Sequence, residues 1–62
     1  MSDVTVENHG TVMLFVPQTE KGREWIVEHV SSPVWFGGAL ACEPRYAMDL
    51  AQGMLDDGLE VE

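Results

Sequence analysis

Alternating apolar and polar residues at the start of the chain predict a β-hairpin. Residues 4–7 alternate with a period of two, which is the pattern of a strand with one buried face. Residues 8–10, Asn-His-Gly, supply a turn, and residues 11–16 are apolar on both faces. We therefore predict that this second strand lies in the centre of a sheet and ends at Pro17, which lacks a backbone donor.

A helical spacing of apolar residues follows and predicts the first helix over residues 19–30. Thr19 occupies a suitable N-cap position, and Gly22 would allow the helix to approach the sheet closely. Residues 31–33, Ser-Ser-Pro, end the helix. The apolar face consists of Trp25, Ile26, His29 and Val30.

The second half predicts one strand, one helix and a short final strand. Residues 34–43 form the strand region, with a bend or bulge at Gly37-Gly38. The helix spans residues 44–57, from a favourable N-terminal Pro44 to a C-terminal Gly58. Its buried stripe consists of Tyr46 or Ala47, Leu50, Ala51 and Met54. Residues 59–62 form the last short strand, in which Leu59 and Val61 point inward.

These elements predict a single α+β domain spanning residues 1–62. Their order is β-β-α-β-α-β, with one four-stranded sheet and two helices packed on it. Because two helices cannot cover both faces of four strands, we expect one face to stay partly open as a candidate binding surface.

Net charge narrows the classes of partner. Eleven acids against three bases give a charge of −8. Direct binding to nucleic acid or anionic membrane is disfavoured because both require Lys and Arg, so a basic partner is expected. No apolar run approaches the ~20 residues of a membrane span, and the N-terminus lacks signal-peptide features. With one cysteine, Cys42, we expect a cytosolic protein.

Several acids stand where local electrostatics disfavours them. Asp56 and Asp57 lie at the negative end of the second helix dipole. The first helix repeats a glutamate every fourth residue, at Glu20, Glu24 and Glu28, which places like charges side by side. Such violations in a small domain tend to mark function.

A row of carboxylates at these spacings can enter a basic groove built for a phosphate backbone, which is a hypothesis of nucleic-acid mimicry. Solubility and adaptation to a high-salt cytoplasm stay open as alternatives, because an acidic surface also serves both. The expected contact residues are Asp56, Asp57, Glu60 and Glu62, then Glu20, Glu24 and Glu28, with Trp35 as a hot-spot candidate if it is exposed.

Other chemistry has little support in the sequence. Cys42, His9 and His29 do not have a zinc-site spacing, and the many acids disfavour a cysteine thiolate. We expect Cys42 to be a small buried side chain, His9 a turn residue, and His29 a residue at the edge of the buried helix face. Catalytic residues, a metal site and a cofactor are therefore not expected.

Two stretches resemble a group of short acidic proteins carried by phages and plasmids. They are GTVMLFVPQTEKGREWIVEHV (10–30) and GGALACEPRYAMDLAQGMLDDGLEV (37–61), whose recurring pieces are structural landmarks. In size and charge the chain is also similar to anti-CRISPR proteins, some of which block DNA recognition by a Cascade complex through an acidic surface. At the level of class, the resemblance implies that exposed acids would contact a Lys/Arg-lined DNA-binding groove.

Two functions from different classes follow. The leading hypothesis is a non-enzymatic inhibitor from a mobile element, monomeric and cytoplasmic in a bacterial host, which binds a basic nucleic-acid-handling protein such as a Cascade subunit. The alternative is a structural or assembly module that pairs through the open sheet face or an edge strand, with Met13 and Phe15 at the interface. Binding that salt weakens would favour the first hypothesis, and salt-insensitive self-association abolished by Phe15→Ser would favour the second.

Overall fold

The computed structural model describes residues 2–62, in which a four-stranded antiparallel sheet carries two helices. The α+β class is confirmed, and the strand order β1-β2-β4-β3 places β2 in the interior, as predicted. The elements in chain order are β1 (Val4–Asn8), β2 (Met13–Pro17), α1 (Glu20–His29), β3 (Val34–Phe36), β4 (Ala39–Cys42) and α2 (Pro44–Asp56).

The second half of the chain differs from the predicted order in two respects. Gly37 and Gly38 form a two-residue turn between two strands instead of a bend within one strand. Gly37 has φ +63°, whereas Gly38 lies outside the positive region, which is the type II′ pattern that suits the twist of a hairpin. Residues 59–62, predicted as the final strand, make only a single parallel bridge, between Val61 and Val4. The fourth strand of the sheet is instead β4, which follows the Gly37-Gly38 turn.

The core lies between the sheet and both helices. Val6, Phe15, Leu40 and Trp35 are cross-strand neighbours in one row, and Phe15 is fully buried there. Both helices contribute to the same buried cluster, which places them on one face of the sheet. Their buried members are Trp25 and Ile26 of α1 with Ala47 and Met54 of α2.

Close packing of α1 depends on the absence of a side chain at Gly22. A Cβ at this position would overlap the backbone oxygen of Asp3 and lie 3.0 Å from a methyl group of Val4. The predicted N-cap is also confirmed, because the Thr19 hydroxyl accepts a hydrogen bond from the Gly22 N–H at 3.1 Å. Together these contacts fix the start of α1 against the beginning of β1.

Among residues 2–62, no helix lies on the opposite face of the sheet, so the expectation of a partly open face is confirmed. Glu7, Leu14, Ala41 and Val34 form its central row. We call Leu14, Ala41, Val34 and the neighbouring Phe36 the open face. Val34 and Phe36 are 65% and 71% exposed, respectively.

Met13 and Phe15 do not lie on the open face, so their predicted interface role is wrong. Phe15 is fully buried under the helices, and Met13 packs against the same core. Side chains alternate between the faces of a strand, and the register Val6–Phe15–Leu40 turns the odd-numbered residues of β2 towards the helices. Residues 11–16 are apolar on both faces, so their pattern did not reveal which side is covered.

The C-terminal segment, residues 59–62, covers the outer edge of β1. It follows the predicted end of α2, where the N–H groups of Gly58 and Leu59 donate to the carbonyls of Leu55 and Met54. The Glu62 N–H then donates to the Val4 carbonyl at 3.0 Å. Within residues 2–62, the outer edge of β3 is left as the unpaired edge of the sheet.

Candidate functional site

Three unpaired carboxylates form a row along the outer face of α1. Glu20, Glu24 and Glu28 are all exposed and line one shallow groove with Val27 and Arg23. We call these three residues the glutamate row. The ion pairs found among residues 2–62 are His9–Glu7, His29–Asp57 and Arg45–Glu43, and none of them includes the glutamate row.

The three basic residues of the chain make other contacts. The Lys21 ammonium donates to the Gly58 carbonyl at 3.2 Å, which links α1 to the end of α2. The Arg23 guanidinium lies 5.8 Å from the centroid of the Trp35 ring. Arg45 pairs with Glu43 at 3.2 Å and covers the ring of Tyr46. Although Arg23 lines the same groove, none of the three bases forms an ion pair with the glutamate row among residues 2–62.

Asp57 has structural contacts that explain its unfavourable position at the end of α2. Its carboxylate accepts a hydrogen bond from the Trp25 indole N–H at 2.6 Å and lies 3.4 Å from the His29 Nε2. The His29 ring stacks on Trp25, with 4.3 Å between centroids, at the expected edge of the buried helix face. A shallow groove brings Asp57 beside Glu24 and Glu28, and Lys21 lines the same groove, so three carboxylates surround one ammonium group there.

The remaining predicted acids are exposed but lie outside that groove. Among residues 2–62, the side chains that line this groove do not include Asp56, Glu60 or Glu62. Asp56 accepts a hydrogen bond from the Gln52 amide one helical turn earlier, at 3.0 Å. Glu60 and Glu62 belong to the C-terminal segment beside β1. The structure therefore joins the predicted acids only in part.

Asp3 is an acid with a clear role that the sequence did not indicate. Its carboxylate accepts hydrogen bonds from the Glu60 backbone N–H at 2.9 Å and from the Thr19 hydroxyl at 2.7 Å. These two bonds, the backbone bond first, hold the pKa of Asp3 below its ordinary value of 3.8. Because 57 positions separate Asp3 from Glu60, no local pattern could have shown this contact.

Trp35 lies at the edge of the sheet, on the side that faces the helices. It is 37% exposed, and Arg23 covers part of its ring. An amphipathic aromatic ring that is partly exposed and held by an arginine is a typical hot-spot residue of protein interfaces. Trp35 is therefore partly exposed at the outer edge of β3.

The other candidates for chemistry have ordinary structural surroundings. Cys42 is half-buried against the core, and burial raises the pKa of its thiol, which disfavours the reactive thiolate. His9 lies in the β1–β2 turn and contacts Glu7 at 3.0 Å. In the part of the chain from Ser2 to Glu62, no group of three or more His, Cys, Asp and Glu side chains is placed to hold a metal ion.

No protein family, curated protein or solved structure matches this chain. The helices of residues 2–62 are too short and too polar for any of them to cross a membrane. The surface of residues 2–62 combines a glutamate row that forms no ion pair with a sheet face on which Val34 and Phe36 are exposed.

Proposed function

We propose that the protein is a non-enzymatic inhibitor that binds the basic DNA-binding groove of a nucleic-acid-handling protein. The observation that carries this proposal is the glutamate row, Glu20, Glu24 and Glu28. Its three carboxylates are exposed and stay unpaired among residues 2–62, although Lys21 and Arg23 lie on the same helix. Neither base forms an ion pair with the row among residues 2–62, and two positive charges do not balance three carboxylates, so the helix keeps a net negative charge.

The spacing of the row suits a groove that normally holds a phosphate backbone. Residues four apart on a helix rise by about 6 Å, and a DNA strand presents one phosphate per ~3.4 Å of axial rise. Two neighbouring glutamates can thus occupy the positions of two phosphates that have one further phosphate between them. Counterions released from the basic groove supply affinity, and the charge of −8 steers the approach.

The arrangement has a cost that solubility alone does not require. Like charges four residues apart destabilise a helix by about 0.2–0.5 kcal/mol per pair, and a small domain has little stability in reserve. Dispersing the same acids over the surface would give equal solubility without this repulsion. Retaining the row favours recognition by another molecule over a general solubilising effect.

The expected partner is a protein or complex with a groove lined by Lys and Arg. In the bacterial cytoplasm, a Cascade subunit of a CRISPR surveillance complex is a target of this class, in line with the resemblance to anti-CRISPR proteins. The inhibitor would exclude target DNA by charge and shape. It would not bind nucleic acid itself, because its own surface is acidic.

The test compares two variants that each lose three negative charges. One replaces Glu20, Glu24 and Glu28 by Gln, and the matched control replaces Glu7 and Glu43 by Gln and Asp49 by Asn. Asp57 is kept in both, because it accepts the Trp25 hydrogen bond. Immobilised wild type and variants are incubated with bacterial lysate, and captured proteins are eluted by rising salt or by duplex DNA.

We expect the wild type and the control to retain a basic protein that duplex DNA displaces, and the row variant to lose it. The row variant should lose binding because up to three of its charge contacts with the basic groove are removed, and each of these contacts contributes to the salt dependence of the affinity. Equal capture by both variants would show that the position of the acids is irrelevant. Captured protein that DNA does not displace would contradict mimicry.

A further inference from the structure

The outer edge of β3 presents unpaired backbone groups at Trp35. In a hairpin with a two-residue loop, the residues that flank the loop, Phe36 and Ala39, exchange hydrogen bonds. The next pair, Trp35 and Leu40, is then a non-hydrogen-bonded pair. The N–H and C=O of Trp35 consequently point away from β4, towards the outer edge of the sheet.

The segment that contains β3 carries none of the charges that normally protect a sheet from pairing with another chain, although Arg23 of α1 lies over the Trp35 ring on the helical side. Residues 30–42 contain no Asp, Glu, Lys or Arg, whereas the rest of the chain holds all fourteen charged residues. Natural edge strands are usually blocked by lysine, by an inward charge or by proline. Here the only such feature is Pro33, just before β3, which shortens a potential ladder but leaves Trp35 free to pair.

Apolar side chains lie beside the unpaired backbone. Val34 and Phe36 are 65% and 71% exposed on the open face. Phe36 also lines a depression of about 210 Å³ with His9, Val12, Leu14 and Ala41. The edge of β3 therefore offers backbone hydrogen bonds and apolar contact at the same place, which is the combination that strand addition uses.

We infer that a second copy of this chain pairs with β3 in an antiparallel, two-fold arrangement centred on Trp35. The Trp35 N–H of each copy donates to the Trp35 carbonyl of the other. Val34 of one copy then lies opposite Phe36 of the second copy on the open face, about 5 Å apart at Cβ, and the two Trp35 rings meet on the helical side. The two sheets become one sheet of eight strands.

The distribution of charge points to a second copy as the occupant. Two chains of charge −8 repel each other, and the uncharged segment 30–42 is the place where they can approach with least repulsion. A basic partner would instead favour the glutamate row. A three-residue strand also buries less than the ~1,200 Å² of a stable interface, so the dimer is weak and concentration-dependent.

This inference is independent of the proposed function, and its salt dependence has the opposite sign. Added salt screens the repulsion between the two acidic copies and strengthens the dimer. The same salt weakens binding of the glutamate row to a basic groove. The two proposals can therefore succeed or fail separately, and a monomer at low ionic strength becomes a monomer–dimer equilibrium at high ionic strength.

Sedimentation equilibrium of the wild type up to millimolar concentration tests the dimer, at ionic strengths from about 0.01 M to about 1 M. We expect a dimer that tightens as the salt increases. Phe36→Lys should weaken it at least tenfold, whereas Met48→Lys should not. Met48 is a matched control, because it is 82% exposed and lies on α2, away from the edge.

A synthetic chain with an N-methyl group on the Trp35 amide tests the edge hydrogen bond itself. The methyl group removes the donor but keeps every side chain, and circular dichroism confirms that each chain folds. We expect this chain to remain monomeric. A wild type that is monomeric under all conditions would overturn the inference, and so would an N-methylated chain that dimerises like the wild type.

Discussion

Acidic residues of this chain have two distinct roles at the scale of single residues. Asp3 and Asp57 each accept defined hydrogen bonds that hold distant parts of the fold together. The glutamate row makes no ion pair among residues 2–62 and lies on the outside of α1. The presence of a carboxylate alone therefore does not show whether it stabilises the fold or is free to bind another molecule. Its hydrogen-bond partners distinguish the two cases.

Ionised Asp3 should stabilise the fold in a pH-dependent way. Its pKa in the folded protein lies below the ordinary value of 3.8, because it accepts bonds from the Glu60 N–H and the Thr19 hydroxyl. Ionisation thus stabilises the fold above the unfolded pKa, and this contribution is lost as the pH falls from there through the folded pKa. As the pH falls from about 6 to about 2, we expect the free energy of unfolding to decrease less for Asp3→Asn than for the wild type.

Urea unfolding at several pH values measures this difference. Asp49→Asn is the control, because it removes an exposed helical carboxylate and should keep the wild-type dependence on pH. An Asp3→Asn profile that parallels the wild type would show that the two hydrogen bonds do not favour the ionised form.

Local sequence specifies most of the individual elements. Thr19, the apolar stripe with Trp25 and Ile26, and the flanking residues Pro44 and Gly58 predicted both helices close to their observed ends. These signals succeed because capping and helical periodicity act within a few residues. The β3–β4 hairpin was missed, because a Gly-Gly pair within an apolar run is compatible with a bend as well as with a turn.

The hairpin should depend on Gly37 and not on Gly38. Gly37 has φ +63°, a sparsely populated region that costs an L-amino acid about 1–3 kcal/mol, whereas Gly38 lies outside this region. A Cβ at either position meets no atom within 4 Å, so sterics do not distinguish them. We expect Gly37→Ala to lower the free energy of unfolding by about 1 kcal/mol and Gly38→Ala to change it by less than about 0.5 kcal/mol.

Chemical denaturation of the two variants provides the measurement, and each serves as the control for the other. Equal losses in both would contradict the type II′ turn. A larger loss at Gly38 would place the strained position at the second residue of the loop.

The charges of the whole molecule are distributed unevenly. Seven of the eleven acids belong to the helices or their capping positions, and the segment 30–42 around β3 has no charge. The helices therefore carry most of the negative charge, whereas β3 lies in a segment without charged residues of its own. The same imbalance should make the stability of the fold sensitive to ionic strength, because the acids repel one another in the folded state.

Salt should raise the melting temperature of the isolated chain. If screening removes about 1 kcal/mol of repulsion, a domain of this size gains about 4–8 °C. Calorimetry at low protein concentration separates this effect from dimer formation, which would also stabilise the fold. The variant that replaces Glu20, Glu24 and Glu28 by Gln should gain less, and an equal gain in both proteins would show that the row contributes no repulsion.

The sequence by itself determined the α+β class, both helices, the first hairpin and the acidic character of the surface. These properties follow from periodicity, capping and composition, which act locally or by simple summation. Tertiary structure decided that Phe15 faces the core, that residues 59–62 cover the edge of β1, and that Asp57 binds Trp25. Those outcomes depend on strand register and on contacts between residues far apart in the chain, and no local pattern encodes either.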